Sequence, residues 1–193
     1  ALAVATSGRP GPVSLDVPED ICHETHEFRA DDFWSEEENK SIPARRIRPG
    51  ADDVVRAAGL LAKAERPLML DGGGIHLSEG YGALLEFAEA HNIPVAHTMS
   101  GKGAIACSHP LSAGLFGRYT RIANDLIESA DCLMAVGCKL GEIATKRFQL
   151  MPQDTPLIQL DVLPEEIGRT TRVHAGLCGD AGEGVRALGE ELS

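Results

Sequence analysis

The 193-residue sequence has no apolar run long enough to cross a bilayer, no signal peptide and no excess of basic residues. A spanning helix needs about 20 consecutive apolar residues, so a helical membrane protein is excluded and no secretory leader is read. The formal net charge of −11 argues against nucleic acid or an anionic membrane as partner, because both favour basic surfaces. Cys-x-x-C pairs are missing as well. The five cysteines (Cys22, Cys107, Cys132, Cys138, Cys178) are odd in number and scattered, which fits reduced thiols in a cytoplasm better than a disulfide framework. A strict G-x-G-x-x-G is also lacking: Leu77 stands where the third glycine would fall. The strand that follows ends in Thr98 and Met99, not in an acid that would hold a ribose. A conventional nicotinamide dehydrogenase is therefore disfavoured. Finally, no Met opens the chain. Ala1 begins "ALAVATSG", which reads as the end of a helix already under way and predicts a processed chain or a piece of a longer one.

What is present is ordinary globular material, with 43% hydrophobic and 24% charged residues, enough for a core without disulfide staples. Three regions separate by composition. Residues 1–21 hold the helix end, a turn at Gly8–Pro12 and one isolated strand in "RPGPVSLDVPEDI". Residues 22–49 are charge-rich and lack an apolar period, so they read as an extended linker pinned by Phe33 and Trp34. From residue 50 the pattern becomes regular. A helix carries Val54, Val55, Ala58, Leu61 and Ala62, with Asp52 or Asp53 as its cap. The strand in "RPLMLDGGG" leads to a helix over 78–91. The strand "IPVAHT" at 93–98 leads to a loop. A helix at about 119–130 precedes strands at 131–137, 156–161 and 173–178, and a helix over 181–192 closes the chain. Continuous apolar strands alternating with helices predict a doubly wound, mainly parallel Rossmann-like α/β sheet covered on both faces.

In such a sheet ligands lie beyond the carboxyl ends of the strands. Four features fall there. Gly72, Gly73 and Gly74 let a backbone approach a phosphate, or simply make a tight strand-to-helix turn. Gly137 permits close approach, and Lys139 beside Cys138 can meet a phosphate as a point charge or be solvated. Asp161 can accept hydrogen bonds from a ribose or cap the short helix of "LPEEIGR"; Asp180 carries the same two readings. Other candidates fail sooner. Cys22, His23 and His26 lack a second ligand pair for a metal. Cys107 and His109 lack an oriented base. The run Glu36–Glu38 reads as a solvated face. No catalytic constellation and no metal site emerge.

The succession "RPGPVSLDVPEDI", "RPLMLDGGG", "DCLMAVGCKLGE", "PLIQLDVLPEEIGR" and a closing "GD" resembles the middle of a thiamine-diphosphate-dependent enzyme of the acetolactate synthase type. The resemblance covers nearly the whole chain, with residues 1–21 matching the tail of a pyrimidine-binding domain and 50–193 the central domain. It implies a parent transferase or lyase acting on a 2-oxo acid with thiamine diphosphate and Mg2+, the cofactor carrying the chemistry. It also implies missing pyrimidine- and pyrophosphate-binding domains as partners, a homo-oligomeric parent and an inactive isolated fragment. "GDAGEG" at 179–184 mimics the family's magnesium motif but lacks its third-position glycine and a partner Asn. Where relatives bind FAD, the contacts carry over to Gly72, Gly73, Gly74, Thr98, Met99, Ser100, Gly137, Cys138, Lys139, Asp161 and Asp180. Two departures weigh against flavin. The family's G-A-R-F-D-D-R is replaced by Gly137–Ile143, and its "MHG" by Phe116-Gly117-Arg118. FAD, an ADP-like nucleotide and an empty crevice stay open, as do two rivals: a stand-alone nucleotide-binding module and a purely structural domain. A sirtuin-like reading of "GGGIHLSEG" is opposed by the missing paired cysteines and catalytic histidine.

Overall fold

In the computed structural model, residues 1–32, 36–119 and 121–193 are described; Phe33 and Trp34, read as pins of the linker, lie outside them. The chain divides into two units, Ala1–Arg45 and Arg46–Ser193. The first holds helix α1 (Leu2–Thr6), helix α2 (Glu19–His23) and two 3-10 turns, Ala30–Asp32 and Glu37–Lys40. Residues 22–49, read as an extended linker, are thus partly turned. The Ala44 N–H donates to the Thr6 carbonyl at 2.8 Å, and Arg45 pairs with both Glu36 and Glu38. The segment 10–18 between the helices has no ladder partner among the described residues. Its Val13, Leu15 and Val17 are exposed, so no apolar face buries it as a strand.

The second unit opens with helix α3 (Ala51–Leu61), which buries Val54, Ala57, Ala58 and Leu61 at helical spacing. Asp52 and Asp53 do not cap it. Gly50 takes the cap position, and the two acids sit in the first turn facing the positive end of the helix dipole. Strand β1 (Pro67–Asp71) follows, then a single turn α4 (Gly74–Leu77) and helix α5 (Tyr81–His91). The helix expected over 78–91 therefore begins earlier and is broken at residues 78–80, where Glu79 has φ 51°. Helix α5 ends on left-handed Asn92, a conformation asparagine tolerates at a helix stop.

Strand β2 (Val95–His97) pairs with β3 (Ser112–Leu115), a strand the sequence reading left as loop. Helix α6 (Ile122–Ser129), strands β4 (Cys132–Val136), β5 (Leu157–Asp161) and β6 (Ala175–Cys178), and helix α7 (Ala181–Leu192) complete the unit. Among the described residues the six strands form one sheet in the order β3-β2-β1-β4-β5-β6. Every pairing is parallel.

Strands β4 and β5 are buried at every position, because both faces are covered. That is why they read as continuous apolar runs instead of alternating ones. Alternate residues still serve different faces. Met69, Val95, Met134, Ile158 and Leu177 pack with the buried sides of α3, α5 and α7. Leu68, Leu70, Ala96, Leu133, Ala135 and Leu157 pack with Ala123 and Ile127 of α6 and with Cys138, Leu140 and Leu150. Each fully buried Leu, Ile or Met contributes about 1.5–3 kcal/mol relative to exposure. On the second face the crossover from β4 to β5, residues 137–156, runs without a helix. Its own apolar residues take a helix's place.

Candidate functional site

Strand order reverses at β1, whose successors lie on one side as β2 and on the other as β4. A crevice therefore opens above the carboxyl ends of β1 and β4. Its base is glycine packed on glycine. The Gly72 N–H donates to the Val136 carbonyl and the Gly74 N–H to the Gly137 carbonyl, both at 3.0 Å. A Cβ added to Gly72 would lie 2.3 Å from the Gly137 oxygen, and one on Gly74 2.6 Å from the Gly137 Cα. Gly137 itself has φ 53°. The turn after β1 and the turn after β4 are thus locked backbone to backbone. This contact alone accounts for Gly72, Gly74 and Gly137. Gly73 faces the other way, with its added Cβ 3.3 Å from the Ser100 Cβ.

The loop Thr98–Gly101 closes over the end of β1. The Thr98 N–H donates to the Asp71 carbonyl at 3.0 Å, and the Thr98 hydroxyl accepts from the Gly101 N–H at 3.0 Å and meets the Ser100 hydroxyl at 3.2 Å. Met99 and Ser100 are exposed. Beneath this loop sits Asp71, fully buried, with neither carboxylate oxygen hydrogen bonded. Burial pushes its carboxyl up to about 8, against a smaller opposing pull from its own backbone N–H. Burial thus favours its neutral form well above the ordinary carboxylate range. Burial also pushes the neighbouring Cys138 thiol up to about 12, helped by the nearby Asp71 and Asp161, against a backbone contact at Leu140. That thiol is no nucleophile.

The remaining residues of the expected site lie along the same edge, already engaged. Asp161 accepts from the Leu163 N–H at 3.0 Å, and its own carbonyl accepts from the Gly179 N–H at 2.9 Å. Asp180 caps α7 by accepting from the Glu183 N–H at 3.1 Å and pairs with Arg46 at 3.2 Å. Arg46 also donates to the Ser78 carbonyl, tying the residues before α3 to the break before α5. Lys139 reaches Glu166 at 3.5 Å, and Arg169 reaches the same carboxylate at 2.8 Å. Burial alone would raise that carboxyl, but the Arg169 hydrogen bond and the Lys139 charge outweigh it and hold it below its ordinary range. Sequence reasoning missed two residues here. Arg46 sits in what read as linker. Asp71 read only as the residue before a glycine turn; an acid closing an otherwise apolar strand was its one sequence signal.

The strand order and the crevice at its reversal define a Rossmann-like α/β domain. Comparison with known proteins narrows this. The model of the thiamine pyrophosphate enzyme central domain matches residues 54–188, and the chain belongs to that family. It is 34% identical over 197 residues to a probable acetolactate synthase large subunit of Methanocaldococcus jannaschii, covering 97% of this chain and 32% of the relative. It is 31% identical to the acetolactate synthase isozyme 2 large subunit of Escherichia coli, covering 100% of this chain and 34% of that protein. Oxalyl-CoA decarboxylase of the same bacterium is 34% identical, with 100% and 33% covered. The benzoylformate decarboxylase structure from Polynucleobacter necessarius shares the fold with a TM-score of 0.78 at 20% identity, over 99% of this chain and 35% of that one. The chain spans about a third of the length of the relatives it matches.

Proposed function

We propose that this chain serves as the central, non-catalytic domain of a larger thiamine-diphosphate enzyme of the acetolactate synthase type, a transferase or lyase acting on 2-oxo acids. In this reading pyrimidine- and pyrophosphate-binding domains elsewhere in the parent hold thiamine diphosphate and Mg2+, and residues 1–21 are the tail of the former. Full-length alignment to relatives about three times as long is the observation that carries it. The site chemistry agrees. "GDAGEG" at 179–184 forms the turn into α7, and Asp180 is spent on a helix cap and on Arg46. The residues present do not fit a diphosphate–magnesium site. A stand-alone nucleotide-binding module is not favoured by relatives of this kind.

For the crevice we infer a nucleotide-bearing ligand, FAD or an ADP-like group, contacting Gly73, Thr98, Met99, Ser100, Cys138, Lys139, Asp161 and Asp180. The exposed loop at 99–100 supports it; Gly72, Gly74 and Gly137 shape the crevice from below. The odd number and scattered positions of the five cysteines support a reducing compartment for the parent. Two measurements test these readings. Incubated with pyruvate, thiamine diphosphate and Mg2+, the chain should release no carbon dioxide, and turnover would overturn the domain assignment. Titration with FAD, followed by flavin absorbance and by calorimetry with ADP as the alternative, should give a saturable complex. Absence of both would leave the domain with a spacer role alone.

A further inference from the structure

Six of the fourteen Lys and Arg residues of the second unit form ion pairs among the described residues. Arg46 pairs with Asp180, Arg48 with Glu190, Arg56 with Asp53, Lys139 and Arg169 with Glu166, and Arg186 with Glu183. With 29 acids to 18 bases in the chain, carboxylates are in ample supply. Yet Arg118, Lys146 and Arg147 make no ion pair among the described residues, and all three line one cavity of about 230 Å³. Tyr119, Ile143, Gln149 and a single acid, Glu142, complete its wall. The Arg118 guanidinium lies 5.8 Å from the centre of the Tyr119 ring, within cation–π range.

The loops that present these cations are fixed. The Arg118 N–H donates to the Ile143 carbonyl at 2.9 Å. Gly117, at φ 113°, leaves no room for a Cβ, which would lie 2.9 Å from the Ala144 Cα. Behind them, buried Asn124 accepts from the Gly117 N–H at 2.8 Å and donates to the carbonyls of Gly117 and Tyr119 at 2.8 and 2.9 Å. Buried Thr145 donates to the Gly141 carbonyl at 2.9 Å and accepts from the Phe148 N–H at 3.1 Å. Lys146, Arg147 and Phe148 are all left-handed, with φ of 49°, 58° and 64°. Each such non-glycine residue costs about 1–2 kcal/mol, and this run is held by the Arg147 N–H on the Glu142 carbonyl and the Gln149 N–H on the Thr145 carbonyl. The scaffold therefore spends stability to hold two adjacent cations in the wall of the cavity that Arg118 also lines.

We propose that this cavity binds the phosphate or diphosphate end of a small molecule. Three cations against one carboxylate leave a net charge of +2 at the cavity, matching a dianion. Planar guanidinium groups suit phosphate oxygens through paired N–H donors. The volume falls below the roughly 300 Å³ at which whole drug-sized ligands are held, so the cavity takes a head group. None of its lining residues belongs to the crevice contacts, and the proposal does not rest on a nucleotide there.

The test titrates the 193-residue chain with inorganic pyrophosphate at low ionic strength, by calorimetry and by backbone amide shifts. Saturable binding is expected, with shifts confined to residues 116–119 and 141–149. Arg118→Gln and Arg147→Gln should each weaken it tenfold or more with melting temperature unchanged, whereas Lys63→Gln, on the surface away from the cavity, should not. Competition by ADP would assign the cavity to a phosphorylated molecule, and pyrophosphate binding without competition to the free anion; both uphold the site. Non-saturable binding, equal loss in Lys63→Gln, or shifts centred on residues 72–74 would overturn it. Binding of FAD at residues 72–74 alone leaves the cavity proposal to stand or fall on the pyrophosphate result.

Discussion

Asp71 makes the stability of the second unit depend on pH in a direction opposite to that of most carboxylates. Its carboxyl is raised from 3.8 to about 8 by burial. Between those values the unfolded chain has released the proton and the folded chain keeps it. The folded state binds more protons, so stability falls as pH rises, by about 1.4 kcal/mol per unit, and levels off above pH 8. Over the four units the total is about 6 kcal/mol, of which about 4 has been lost by pH 7. Asp71→Leu removes the titrating group and fills a comparable volume with apolar atoms, a replacement that tends to stabilise a site whose polar group was unsatisfied. Urea unfolding followed by far-ultraviolet circular dichroism, from pH 5 to 9, reads out the difference. The variant should gain on the natural chain with each pH unit up to 8 and hold a constant advantage beyond. A difference that stays flat with pH would show that the carboxyl titrates normally, and would refute the reasoning.

Other substitutions probe the same edge. Gly72→Ala places a methyl group 2.3 Å from the Gly137 carbonyl oxygen; it should cost more than the 1–3 kcal/mol typical of overpacking, visible as a large drop in urea midpoint. Asp180→Ala removes the α7 cap and frees Arg46, for an expected loss of about 1–2 kcal/mol, and faster amide exchange in the first turn of α7. Glu166→Gln deprives Lys139 and Arg169 of their shared carboxylate. Because that carboxyl is held below its ordinary value, its contribution is present above about pH 4.5 and lost as pH falls through the folded value. The variant should therefore differ from the natural chain at pH 7 and converge with it once pH has fallen through that folded value.

How much of this was legible depended on where the information resides. Strands β1, β4 and β5 announce themselves because burial on both faces leaves "LMLD", "CLMAV" and "LIQL" almost free of polar residues. Strand β3 does not. Ser112–Leu115 is half-buried throughout, contains Gly114 at φ 78°, and pairs on one side only, so neither a run nor an alternation marks it. The break between α4 and α5 was hinted at by Ser78-Glu79-Gly80, but Leu84 and Leu85 continue the apolar face and hid it. Asp161 and Asp180 are recognisable as acids at strand ends, and both prove to serve turns and caps. The isolation of Asp71 and the pairing of Arg46 depend on which elements arrive from far along the chain, and no local pattern encodes that.

The glycine seam between the turns after β1 and β4 has a consequence for how this crevice can change. A floor made of peptide backbone from both sides presents amides and Cα hydrogens, the same for every sequence that retains it. No substitution at Gly72, Gly74 or Gly137 can recolour that surface without pushing the two turns apart. Under the proposed reading, ligand preference is written on the rim, at residues 98–100, 138–140 and 161–163, where side chains can vary while the floor beneath them stays level. The floor sets the shape of the crevice and leaves its chemistry to the rim.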